Sequence, residues 1–238
     1  MKIDILKEPE LEFGDGKHID PRMGIAEHKV YDTNMKARKT DFLLGVIGID
    51  EDVDKAFDWF KHCESNIKSG KTTGQVNLNR PFPGFNKDEA FCASFQYSNE
   101  ISRRITGNEM ETIFNETDRD RRVEKAVKVF FDHCRFLSED KKVDVIVCVI
   151  PKSFEKTIVP DRELDKIEET AEDEEEPEIE LNFRRALKAK CMQFEAPLQL
   201  IGDFAVTDHS ISLLIDHPKL YEERRHAGLF TGRLKLAV

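Results

Sequence analysis

Two nearly continuous apolar runs, Phe42-Leu-Leu-Gly-Val-Ile-Gly48 and Val143-Asp-Val-Ile-Val-Cys-Val-Ile150, limit what this chain can fold into. A strand without polar alternation has both faces covered, as in a parallel sheet between layers of helices. The surroundings agree. From Asp50 to Ile67 the spacing of Val53, Ala56, Phe57, Phe60 and Cys63 predicts a helix with one buried stripe. From Asp118 to Leu137 a second stripe is made by Val123, Ala126, Val127, Phe130, Phe131 and Cys134. Glu89 to Tyr97 and Pro197 to Ile201 read as further strands, and residues 181–193 as a basic helix. Strands alternating with helices imply an α/β fold with a parallel-rich sheet and helices on both faces.

The remaining segments set the expected boundaries. Residues 1–40 are polar and rich in turn residues, and read as an N-terminal arm with one strand near Leu11–Gly14, punctuated by Asp20-Pro21 and Gly24. The α/β domain spans 41–205, with a loop-like stretch at 69–86 and a polar stretch at 98–117 that the pattern assigns to no element. Residues 206–238 form a C-terminal segment with one helix over Asp208–Leu220.

Charge is concentrated in one place. Eleven acidic residues and one lysine lie between Glu163 and Glu180, a local net of −10 that equals the net charge of the whole 238-residue chain. The rest therefore sums to zero, and the acidity does not exclude an anionic ligand elsewhere. The block itself reads as a solvated loop over 161–180. No apolar run approaches the ~20 residues of a membrane span, and the first residues lack the core of a secretion signal. The expected location is the cytoplasm. The five cysteines are scattered without C-x-x-C spacing, so neither a zinc knuckle nor a disulfide framework is indicated. Cys92 and Cys148 read as small core residues.

Several motifs have plain structural readings. Gly70-Lys71-Thr72 lacks the earlier glycine of a phosphate loop, since Ser65 stands there. Gly45 and Gly48 lack the G-x-G-x-x-G order and read as positions that permit close packing or end the strand. Adjacent helical residues point about 100° apart, so neither His62-Cys63 nor His133-Cys134 is a catalytic dyad; both cysteines read as core.

The one segment with ligand chemistry is the basic helix. Arg184 and Lys188 are four apart and share a face, and Gln199 follows in the next strand. Two cations on the first part of a helix, with an amide beside them, suit a dianion such as a terminal phosphate. Phe183, Ala186 and Leu187 form the buried stripe, and Glu180 and Asn182 supply capping chemistry.

Taken in order, several blocks resemble the MID region of short prokaryotic Argonaute proteins. They are Glu8-Pro-Glu-Leu-Glu-Phe-Gly14 with Asp20-Pro-Arg-Met-Gly24, and Phe42–Gly48 with Phe82-Pro-Gly-Phe85. Val145-Ile-Val-Cys-Val-Ile-Pro-Lys152 follows, then Arg185-Ala-Leu-Lys-Ala-Lys-Cys-Met192 with Pro197-Leu-Gln-Leu-Ile201. The resemblance implies a Rossmann-like MID domain that holds the 5′-phosphorylated end of a guide RNA or DNA, which pairs with a complementary target strand. It carries over Arg184 (Phe183 if the register slips by one), Lys188 and Gln199 as guide 5′-phosphate ligands. Arg225 and His226 occupy the place of a further family lysine.

The same resemblance implies magnesium at the phosphate as the one candidate cofactor. It also implies a setting of defence against invading DNA, and a separate effector protein, an APAZ-containing nuclease or a sirtuin-like or TIR protein. The family's cleavage carboxylates lie in a PIWI domain that would follow, and the chain ends at Val238 before one could form. The expected role is therefore binding without catalysis. The rival expectation is a protein-interaction module with no nucleic-acid binding of its own; an α/β hydrolase or nucleotide transferase lacks its nucleophile elbow and phosphate loop here.

Overall fold

The computed structural model describes residues 8–67, 81–154, 158 and 182–202. The long apolar runs become the two central strands of a five-stranded parallel sheet, β3 (Asp41–Gly48) and β6 (Val145–Ile150). They pair with Leu44 opposite Val145 and Ile47 opposite Cys148. On the far side of β3 lie two three-residue strands end to end, β4 (Ser94–Gln96) and β5 (Ser102–Arg104). Beyond β6 lies β7 (Leu198–Gly202), the last strand among the described residues, with Gln199 opposite Val147. The chain leaves β3 toward one side, returns across it to β6, and then continues to β7. The fold is thus α/β with a Rossmann-like arrangement, and its switch of direction falls between β3 and β6.

Helices cover both faces. α2 (Asp50–Cys63) lies on one face, where Val53, Ala56 and Phe60 pack with Leu44, Val46, Val145, Val147 and Val149. On the other, α4 (Arg119–Glu139) and α5 (Phe183–Cys191) pack on Ile47, Ile146, Cys148 and Leu200. All six residues of β6 are buried, as its unbroken apolar run requires. Gly45 is the narrow point: a Cβ there would sit 2.8 Å from Leu137 Cδ1, so the close approach of α4 depends on the missing side chain. This is the close-packing role, one of the two expected of that glycine.

Three segments differ from the sequence reading. The arm is not simply extended. β1 (Leu11–Glu12) and β2 (Lys17–His18) form an antiparallel hairpin, followed by α1 (Pro21–His28). Asp20-Pro21, read as a break, starts this helix: the Asp20 carboxylate accepts from the Arg22 and Met23 N–H groups, and Pro21 sits where no N–H is needed. Gly24 then lets the Phe13 ring rest directly on α1. The stretch 98–117 is also structured, with β5 and α3 (Gly107–Phe114). A reciprocal capping box opens α3: Thr106 Oγ1 accepts from the Glu109 N–H, and Glu109 accepts from the Thr106 N–H. Finally, the strand expected over Glu89–Tyr97 shortens to Ser94–Gln96. Cys92 there is only half-buried, with φ at 49° and its thiol donating to the Glu89 carbonyl, so it is not a core residue.

Candidate functional site

Ligands of open α/β sheets gather at the carboxyl ends of the strands, where the following helices begin. The helix starts at this edge differ in charge. The first turn of α2 carries Asp50, Glu51 and Asp52, and Arg104 at the end of β5 binds Asp50 (3.3 Å) and Asp54 (2.5 Å). α4 is capped by Asp118 and has Asp120 in its first turn. Carboxylates already occupy both of these positive helix ends. The first turn of α5 holds no acid and has Arg184 and Arg185 instead, behind the neutral cap Asn182, whose side chain accepts from the Arg185 N–H (3.2 Å). Cations at a helix N-terminus oppose its dipole, at about 0.3–1 kcal/mol each.

The position of α5 is fixed by its apolar stripe. Phe183 and Leu187 are fully buried, and the Phe183 ring meets Phe130 and Phe154 edge-on at centroid distances of 5.2 and 5.6 Å. Lys190 reaches over Phe131 of α4 (5.9 Å to the centroid), which marks the flank of α5 that faces α4. At about 100° per residue, Arg184 and Lys188 lie about 120° and 160° around from Lys190. They share the flank turned away from α4, on the side of β7, where the described part of the sheet ends. Arg184 is half-buried and Lys188 exposed.

Gln199 approaches that margin from the other side. Side chains alternate along a strand. Leu198 and Leu200 belong to the α4–α5 core and Ile201 to the α2 core, so Gln199 projects on the α2 face. It is half-buried, and its amide donates to the Leu200 carbonyl at 3.4 Å. The structure therefore brings Arg184 and Lys188 together on one flank and places Gln199 across the sheet from them. The three border β7 from opposite faces and do not line a single pocket on α5. Arg225, His226, the acidic block, Gly70-Lys71-Thr72 and the helix expected over Asp208–Leu220 lie outside the described residues.

Two side-chain clusters escaped the sequence reading. Arg103 (β5), Glu109 (α3) and His133 (α4) form a network beside a ≈330 Å³ cleft that is also lined by Asp132 and Phe136. Arg103 Nε donates to His133 Nδ1 (3.3 Å), which leaves the proton on Nε2, and Nε2 donates to Glu109 Oε1 (3.1 Å). The guanidinium lies over the Phe136 ring at 4.6 Å. Burial pushes the His133 pKa down, and the neighbouring Arg103 charge adds to this. Burial acts to raise the Glu109 carboxyl, but the Thr106 donors and His133 outweigh it and hold it below its usual value. Both imidazole nitrogens are engaged, so the ring is held as a structural element.

The second cluster joins three thiols that are distant in sequence. Cys134 Sγ lies 3.8 Å from Cys148 Sγ and is also hydrogen-bonded to Cys191. The Cys148 thiol and burial push the Cys134 pKa well above the usual thiol range, against a lowering by Cys191, and the Cys134 thiol and burial do the same for Cys191. Cys63, raised to about 12 by burial, is likewise a core thiol. Among the described residues no group of three or more His, Cys, Asp or Glu side chains could hold a metal ion. Arg184, Lys188 and Gln199 carry no carboxylate and do not by themselves fit the expected magnesium. No helix among the described residues is long and apolar enough to cross a membrane. No family model matches the chain, and no curated protein matches it.

Proposed function

We propose that this protein holds the 5′-phosphorylated end of a nucleic-acid strand at the β7 margin, with Arg184 and Lys188 as the cations that meet the phosphate. One observation carries the reading. Two arginines stand in the first turn of α5, where the helix dipole disfavours them, and the turn's own sequence contributes no acidic residue. A residue pattern that breaks a local stability rule is often kept for a ligand. A terminal phosphate reverses the sign of the problem: it gains from the dipole, the orphan N–H groups and the side-chain charges together.

Lys188, one turn further on the same flank, lengthens the cationic edge. Gln199 lies on the opposite face of β7 and takes no part in this contact. The ordered likeness to short Argonaute MID regions supports the same assignment. It extends the proposal to a guide strand, a complementary target and a separate effector in defence. On this reading the role is binding, and any cleavage belongs elsewhere.

The test uses single substitutions and two oligonucleotides that differ only at the 5′ end. Each charge-assisted contact is worth about 1.5–3 kcal/mol. Lys188→Ala and Arg184→Ala should each weaken the 5′-phosphorylated strand roughly tenfold to a hundredfold, with a much smaller effect on the 5′-hydroxyl strand. Equal losses on both strands would remove the terminal-phosphate assignment.

A further inference from the structure

The two helical layers of the sheet carry opposite charge. α2 has five carboxylates against two lysines, whereas α4 has six cations against four carboxylates and α5 has four cations against none. α3, packed on the same face as α4 and α5, has two carboxylates and no cation, so that layer is net +4 and α2 is net −3.

Part of this excess faces solvent. Arg121, Lys128, Arg185 and Lys190 are exposed, and among the described residues none of them forms an ion pair. Lys128 precedes Phe131 by three residues on α4, so the two are neighbours on the helix surface, and Lys190 covers Phe131 from α5. Phe131 stacks on Phe194 (centroids 5.4 Å, interplanar angle 20°), both half-buried, next to Met192, which is 84% exposed. Cations around a partly exposed aromatic pair form the combination that receives single-stranded nucleic acid: the charges follow the phosphates and the apolar surface takes the bases.

We infer that the outer face of α4 and α5 carries the body of the strand whose 5′ end is proposed to meet Arg184 and Lys188. The inference rests on that reading for its starting point. α5 is about 13 Å long, which spans about four nucleotides at a stacked rise of 3.4 Å. The strand would begin at the α5 N-terminus and reach Phe131, Lys190 and Phe194 at the other end. Charge decides the occupant. A polyanion gains from Arg121, Lys128, Arg185 and Lys190, while an apolar protein partner would bury those four cations without compensation.

The experiment compares the full chain with a Lys128→Glu/Lys190→Glu variant and a milder Lys128→Ala/Lys190→Ala variant. Both are titrated with 5′-phosphorylated single strands of two and of ten nucleotides over a range of salt. Each lost phosphate contact removes about 0.7 from the slope of log affinity against log salt. The ten-nucleotide strand should therefore lose about 1.4 in slope in the alanine variant and bind more weakly still in the glutamate variant. The dinucleotide, too short to reach, should be unaffected. An unchanged affinity and slope for the longer strand would overturn the inference and leave the face to an acidic protein surface. A wild-type protein that ignores the 5′ terminus yet shows the slope change would sink only the terminal-phosphate reading.

Discussion

At the scale of single residues, His133 gives the protein an acid-sensitive joint. Its pKa is lowered in the folded state, so the unfolded chain takes up the proton first as pH falls. Stability from this group is complete above the unfolded value of about 6.5 and is lost as pH falls below it. Glu109, also lowered, adds a further loss below its own unfolded range. Urea denaturation between pH 7.5 and 5 should show the unfolding free energy declining below about pH 6.5. A His133→Gln variant should flatten the upper part of that decline; an identical profile in the variant would contradict the assignment. The sequence showed His133 only as a neighbour of Cys134 on an apolar stripe. Its partners stand 30 and 24 residues away in a stretch without hydrophobic periodicity, so contacts of this kind are set by tertiary packing and leave no local signal.

At the scale of elements, legibility followed burial. β3, α2, α4, β6, α5 and β7 could all be read, because each buries a continuous run or a regular stripe. β5 and α3 could not: Ser102–Arg104 is half-buried throughout, and α3 fully buries only Ile113. The available signal was chemical, the Thr106-Gly-Asn-Glu109 spacing of a capping box. α1 was missed for a similar reason, since Asp20-Pro21 serves equally as a turn or as a helix start, and the contact with Phe13 decides.

The α5 helix offers a prediction at this scale. Arg185→Glu removes a cation that opposes the dipole and adds an anion that favours it, at a position able to reach back to the Asn182 N–H. The variant should be more stable by about 1 kcal/mol while binding a 5′-phosphorylated strand more weakly. Thermal unfolding and a binding titration on the same preparation would show both. A variant that is less stable and binds equally well would mean that the arginine serves the fold.

At the scale of the whole molecule, the sheet separates an acidic helical layer from a basic one. This polarity was hidden in the net charge, which the block from Glu163 to Glu180 equals by itself. The cations of α5 were legible as a pattern, because i and i+4 positions share a face whatever the tertiary structure. The place of Gln199 was not. Its face depends on the parity of β7, which is set by the packing of Leu198 and Leu200 against the α4–α5 core.

The central claim is that the β7 margin recognises a terminal phosphate rather than negative charge in general. It is tested most directly by titrating the unmodified protein with one single strand prepared with a 5′-phosphate, a 5′-hydroxyl or a 3′-phosphate. The account predicts that the 5′-phosphorylated form binds at least about tenfold tighter than either of the others, the value of one charge-assisted contact. Indistinguishable affinities for the three forms would contradict it.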